Sequence, residues 1–118
     1  MEPTREQEYK KADLTSINLA IHKTMYDLLD RESKQWRPLL GMMFAEALGR
    51  NLDEYEPNKD IYFACGLTEL IHNSSLIIDD IEDDSEKRRG DLCLHKKFGI
   101  DRAINTGCYG YLAPITKI

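Results

Sequence analysis

The chain has 118 residues and a mass of 13.7 kDa, with 42% hydrophobic and 31% charged residues, which is the content of one ordinary globular domain and excludes a multidomain machine. Its 21 acids outnumber 16 Lys plus Arg, for a net charge of −5, so a general nucleic-acid-binding surface is excluded, although local basic clusters can still hold phosphate. The mean hydropathy of −0.52 and the absence of an apolar run approaching the roughly 18–20 residues a bilayer needs argue against a transmembrane segment; the polar start MEPTREQEYKK is not a secretory signal, so the expected location is cytoplasmic.

In chain order, Leu14, Ile17, Ile21, Met25 and Leu28 recur at steps of three and four, which predicts a first helix over about residues 12–31. A second is expected from Pro38, whose fixed φ and missing N–H suit a first turn, through Leu48, with Gly49 permitting a left-handed stop. The polar stretch 50–60 reads as a connector. A third and longest helix, about 59–84, carries apolar residues almost all round, as in the interior of a bundle. A loop or short helix follows Gly90 as far as Phe98. Ile104, Cys108, Tyr111 and Ile115 then set up another helical stripe, with Pro114 as a kink. That pattern is still running at Ile118, so a truncated domain is expected. Nothing alternates with period two for long enough to form a sheet, and the predicted class is all-α. Cys65, Cys93 and Cys108 fit neither a disulfide framework nor a metal spacing and are expected to be small buried hydrophobes.

The end of the third helix carries the chemistry. Six of the eight residues in DDIEDDSE are acidic, at a terminus where the helix dipole already places negative charge. Carboxylates about 6 Å apart repel by roughly 0.7 kcal/mol in water and several-fold more beside a low-dielectric wall, which Leu76-Ile77-Ile78 supplies. A compensating cation is the physical inference. Asp79 and Asp83 lie one turn apart on one face, and their oxygen-only chemistry points to Mg²⁺, which keeps its waters and bridges to phosphate. His72 lies within about 20° of Asp79 around the helix axis. Arg88 and Arg89 follow, then His95, Lys96 and Lys97, while Lys34 and Arg37 stand at the entrance of the second helix; guanidinium forks bind phosphate in a bidentate fashion. Singly, each feature has a bland reading: a solvated acidic end, a bundle histidine, a packing Trp36, solvated Lys96 and Lys97. Together they point to a metal-bridged diphosphate.

The segment ELIHNSSLIIDDIEDDSEKRRG, residues 69–90, resembles the first aspartate-rich region of the trans-isoprenyl diphosphate synthases, with D-D-x-x-D followed by R-R-G. SKQWRP at 33–38 is similar to the family's upstream G-G-K-x-x-R-P, although Glu32-Ser33 replaces the glycine pair and Gln35 a common arginine. HKKFGIDRAINTG at 95–107 resembles the segment after the arginines. The resemblance implies the N-terminal part of an isoprenoid-synthase-type helix bundle, a truncated polyprenyl synthase domain over 1–118 that lacks the second aspartate-rich motif. It implies that Asp79 and Asp83 ligate Mg²⁺ on an allylic diphosphate, that Asp80 shapes the cluster and that Arg88 contacts that diphosphate. Lys34, Arg37, His72 and Arg89 match positions binding isopentenyl diphosphate. The small residues Ser74 and Ser75 stand at chain-length positions and favour a geranylgeranyl-like product. The implied reaction is transfer of a prenyl group, in a homodimer or beside a helical partner subunit, with the 118 residues alone inactive. The other readings are a non-catalytic small subunit of a complete synthase and a class I terpene synthase fragment.

Overall fold

A computed structural model describes residues 14–117, and among the described residues the regular structure is helical apart from one small hairpin, with loops between the elements. The first helix runs from residue 14 through a π-helical turn, Asn18–His22, into α1, Lys23–Leu29. Residues 12 and 13 of the expected helix lie outside the described residues. α2 spans Trp36–Ala47, α3 Lys59–Glu82 after a 3-10 turn at Glu56–Asn58, α4 Leu94–Phe98, and α5 Ile100–Leu112 before a closing 3-10 turn at Ala113–Lys117. α2 starts two residues earlier than the proline signal indicates, with Pro38 still inside the first turn, where its missing N–H leaves no bond unmade.

Between α3 and α4 the chain makes a feature that sequence periodicity could not show: strands β1, Lys87–Arg88, and β2, Asp91–Leu92, pair antiparallel with Lys87 opposite Leu92 and Arg88 opposite Asp91. Two-residue strands are too short to alternate. The two residues joining them, Arg89 (φ 53°) and Gly90 (φ 81°), both take positive φ, as a tight two-residue hairpin turn demands. Glycine takes this at no cost, whereas Arg89 holds a backbone region that disfavours side chains.

α3 is the axis of the molecule, packing against α2 on one side and α5 on the other. The core consists of Met25 and Leu28 from α1, Ile77 from α3, Leu94 from α4 and Ala103 from α5, with Leu29, Leu70, Ile81 and Phe98 around it. Three expectations change here. The apolar stripe of the last helix faces outward: Ile104, Tyr111 and Ile115 are exposed, and α5 buries its small face, Ala103, Thr106, Gly107 and Gly110, because small residues let it lie close against α3. Cys65 and Cys93 are buried but Cys108 is exposed, on the same outward stripe. Finally, the helical stretch Glu56–Glu82 is by length and composition apolar enough to cross a membrane, although no unbroken apolar run exists in it. Its charges gather near its two ends, at 56–60 and 79–82, and leave Glu69 as the single charge between 61 and 78, a pattern that core helices of bundles share.

Candidate diphosphate site

No single element assembles the site; the start of α2, the middle of α3 and the hairpin each contribute to it. Lys34 precedes α2, Arg37 lies in its first turn, His72 sits mid-way along α3, and Arg88 and Arg89 come from the hairpin; all five line one cavity of about 460 Å³. Residues far apart in sequence thus put up to four permanent positive charges, plus one imidazole, around a space of small-molecule size. Gln35, at φ 42°, takes the left-handed conformation between Lys34 and Trp36 and turns the chain into α2. Such backbone strain concentrates where a scaffold must aim side chains.

The electrostatics follow from the crowding. Burial and then the Arg37 charge hold His72 below its ordinary 6.5, against the opposing pull of Glu69. Burial also lowers Arg89, again with Glu69 pulling the other way. Glu69 was not singled out by the sequence, yet it lines the cavity; its Oε1 lies 3.9 Å from Arg89 and accepts a hydrogen bond from Asn73 at 3.1 Å. Its other oxygen, Oε2, is buried and has no partner. Trp36, expected as a packing anchor, is instead 51% exposed and forms part of the cavity wall, with the Arg37 guanidinium 4.7 Å above its ring. No buried surface surrounds it because α2 buries none of its residues.

The acidic residues separate into two roles. Asp80 is buried at 3% exposure and chelates Arg88 through both oxygens, at 2.6 Å to the guanidinium terminus and 3.0 Å to Nε. The Asp80 hydrogen bond is the largest influence raising Arg88. Cys93 also donates to Asp80, and burial together with that bond pushes its thiol up to about 11. Asp79 and Asp83, by contrast, are exposed at the C-terminal end of α3, outside the cavity lining, with Asp79 3.6 Å from Arg88. Arg88 therefore stands between the cationic cavity and the exposed acids. Among the described residues no group of three or more His, Cys, Asp or Glu side chains gathers as a metal centre. Two exposed carboxylates still match the donor set of Mg²⁺, which uses one or two carboxylates and fills its shell with water and phosphate oxygens.

The remaining predicted positions fall elsewhere. Ser74 is fully buried, bonds the Leu70 carbonyl at 2.8 Å and packs against Gly110 of α5; Ser75 is half-buried and bonds the His72 carbonyl at 2.7 Å. His95 is buried, and its Nε2 faces the Asp84 carboxylate at 3.7 Å. Lys96 and Lys97 are paired rather than merely solvated: Lys96 with Asp84 at 2.6 Å and Glu86 at 3.2 Å, Lys97 with Asp27 at 2.7 Å and Asp91 at 2.8 Å. None of these three lines the cavity.

The chain is 37% identical over 87 residues to a geranylgeranyl pyrophosphate synthase of Geoglobus acetivorans, a match covering 74% of this chain and 25% of that relative. It is 38% identical over 87 residues to a geranylgeranyl diphosphate synthase of Methanosarcina mazei, with the same coverage of 74% and 25%. Over 53 residues it is 49% identical to a geranylgeranyl pyrophosphate synthase of Hericium erinaceus, covering 45% of this chain and 16% of the relative. The chain thus spans about a quarter or less of the length of these relatives. The family profile for polyprenyl synthetase matches residues 18–118, the stretch that holds every cavity-lining cation as well as Asp79 and Asp83, and the chain belongs to the polyprenyl synthetase family.

Proposed function

We propose that this chain carries the diphosphate-binding part of a Mg²⁺-dependent prenyltransferase that joins an allylic diphosphate to isopentenyl diphosphate and makes a geranylgeranyl-like product. The observation that carries the reading is the single cavity lined by Lys34, Arg37, His72, Arg88 and Arg89. Phosphate oxygens suit the guanidinium forks, and a cavity walled by protein lowers the local dielectric, so each cation acts more strongly than it would in water. Asp79 and Asp83 would hold the metal, which when bound neutralises the charge of the departing diphosphate. The chain's own cations stabilise the same charge: Arg88, gripped by Asp80, reaches from the acids to the cavity. Loss of diphosphate leaves an allylic carbocation, the isopentenyl double bond attacks it, and proton loss restores an alkene. The geranylgeranyl assignment is supported by the names of the relatives.

Trp36, the one tryptophan, stands in the cavity wall and reports occupancy by its emission. Titrating the chain with inorganic pyrophosphate is expected to change that emission saturably, more tightly with Mg²⁺ than without, and Asp79→Ala with Asp83→Ala is expected to abolish the Mg²⁺ enhancement. No saturable change, or an enhancement indifferent to those substitutions, overturns the reading. The small-subunit alternative is favoured by one observation, the exposed apolar side chains Leu39, Met43, Phe44 and Leu48 of α2 and the residue after it. Altered product from a complete synthase on adding the chain would support it.

A further inference from the structure

The hairpin that carries Arg88 and Arg89 has only two residue pairs and a strained turn, so it cannot aim two long side chains by its own pairing. Something outside it must hold it. Just past α1, Arg31 is 8% exposed and lies outside the cavity lining, yet every arm of its guanidinium is engaged. One terminal nitrogen donates to the backbone carbonyl of Arg88 at 2.8 Å. Nε donates to the Asp27 carbonyl at 3.2 Å, and the other terminal nitrogen donates to the Asp27 carboxylate at 2.6 Å. That nitrogen also lies 3.7 Å from Asp91, the hairpin residue opposite Arg88. Lys97 of α4 closes the ring by bonding Asp27 at 2.7 Å and Asp91 at 2.8 Å. On the same side, Arg89 donates to the Leu28 carbonyl at 3.3 Å. Two carboxylates and two cations from three segments therefore pin the hairpin to the end of α1.

We propose that Arg31, through Asp27, Asp91 and Lys97, is the positioning residue for the arginine tandem: it fixes the hairpin so that Arg88 and Arg89 present their guanidinium groups to the diphosphate cavity. The proposal rests on the cavity being a diphosphate site, as argued above. Arg31 acts through the hairpin backbone and does not touch the ligand. A lysine at position 31 keeps the charge but, as a point donor, cannot hold Asp27 and the Arg88 carbonyl in one plane.

The test is pyrophosphate binding to the 118-residue chain, read by Trp36 emission, with circular dichroism melting run alongside. Arg31→Lys is expected to weaken binding about tenfold or more, the range seen when the partner that orients a binding group is removed. Asp91→Ala gives a result of opposite sign for the rival explanation: removing a carboxylate near a cationic cavity strengthens anion binding if only the field matters, and weakens it if Asp91 helps aim the arginines. A double-mutant cycle of Arg31→Lys with Arg89→Ala is expected to be non-additive, a coupling that a general loss of stability would not produce. Wild-type affinity in Arg31→Lys, tighter binding in Asp91→Ala, or strict additivity overturns the positioning role and leaves the cavity reading standing. Should Arg31→Lys fail to melt cooperatively, the sign of the Asp91→Ala effect decides. Absence of pyrophosphate binding by the wild-type chain overturns the cavity reading and this inference with it.

Discussion

His72 shows how much of the site chemistry resides in single side chains. Burial and the Arg37 charge place its folded value below 6.5, so between that value and 6.5 the unfolded chain binds more protons than the folded one. The stability it contributes is therefore complete above pH 6.5 and is lost as the pH falls through the folded value. In an NMR titration the His72 ring is expected to show a midpoint below 6.5 in the free chain and a higher one when pyrophosphate is bound, since an anion favours the imidazolium. A midpoint at or above 6.5 without ligand would mean that the cations do not surround it. Asp80 differs in kind from its neighbours. Asp80→Ala is expected to lower stability by about 2–3 kcal/mol, somewhat less than loss of a fully buried pair because Arg88 keeps 28% exposure, and urea unfolding measures it. The aspartate run looks uniform in sequence. Helical rotation and the docking of the hairpin decide that Asp80 is buried under Arg88 while Asp79 and Asp83 face solvent.

Among the elements, the α3–α5 contact has the tightest requirement. A Cβ at Gly110 would collide with Ser74 Oγ and lie 2.8 Å from the end of Met25, so Ser74, Gly110 and Met25 form a three-helix contact with no room for a methyl group. Gly110→Ala is expected to lower the unfolding midpoint despite alanine's better helix propensity, with overpacking costing about 1–3 kcal/mol against roughly 1 kcal/mol gained. A raised midpoint would show that the two helices can part freely. The consequence reaches Ser74, whose size serves helix approach in this structure. The hairpin clamp belongs to this scale too. Hydrogen bonds and charge from Lys97 hold Asp91 below its ordinary 3.8, and Lys97 and Arg31 do the same for Asp27 against the opposing effect of burial. Both carboxylates contribute stability above pH 3.8 and lose it as the pH falls through their folded values.

The described residues form a slab, 51 × 47 × 21 Å, with a radius of gyration of 17.4 Å where a compact chain of this size has roughly 13 Å. α2 buries no residue, and α5 turns its large apolar side chains outward. An open slab cannot exclude water from a carbocation. Incubated with allylic and isopentenyl diphosphates and Mg²⁺, the 118 residues alone are expected to bind ligand and release no elongated product. Formation of a twenty-carbon diphosphate would show that the slab closes by itself or by pairing.

Helical periodicity, the D-D-x-x-D spacing and the R-R-G that follows are local properties, so the sequence alone determined the helical class, the approximate span of α3 and the charge types of the site. Tertiary structure decided what depends on contacts between distant segments. The outward face of α5 is one case, because hydrophobic periodicity says that a stripe exists but not which neighbour is present to cover it. Glu69 in the cavity wall and the Arg31 clamp on the hairpin are others. Their partners lie 20 and 57 residues away, and both pairings exist only once α1, α3 and the hairpin have met in space.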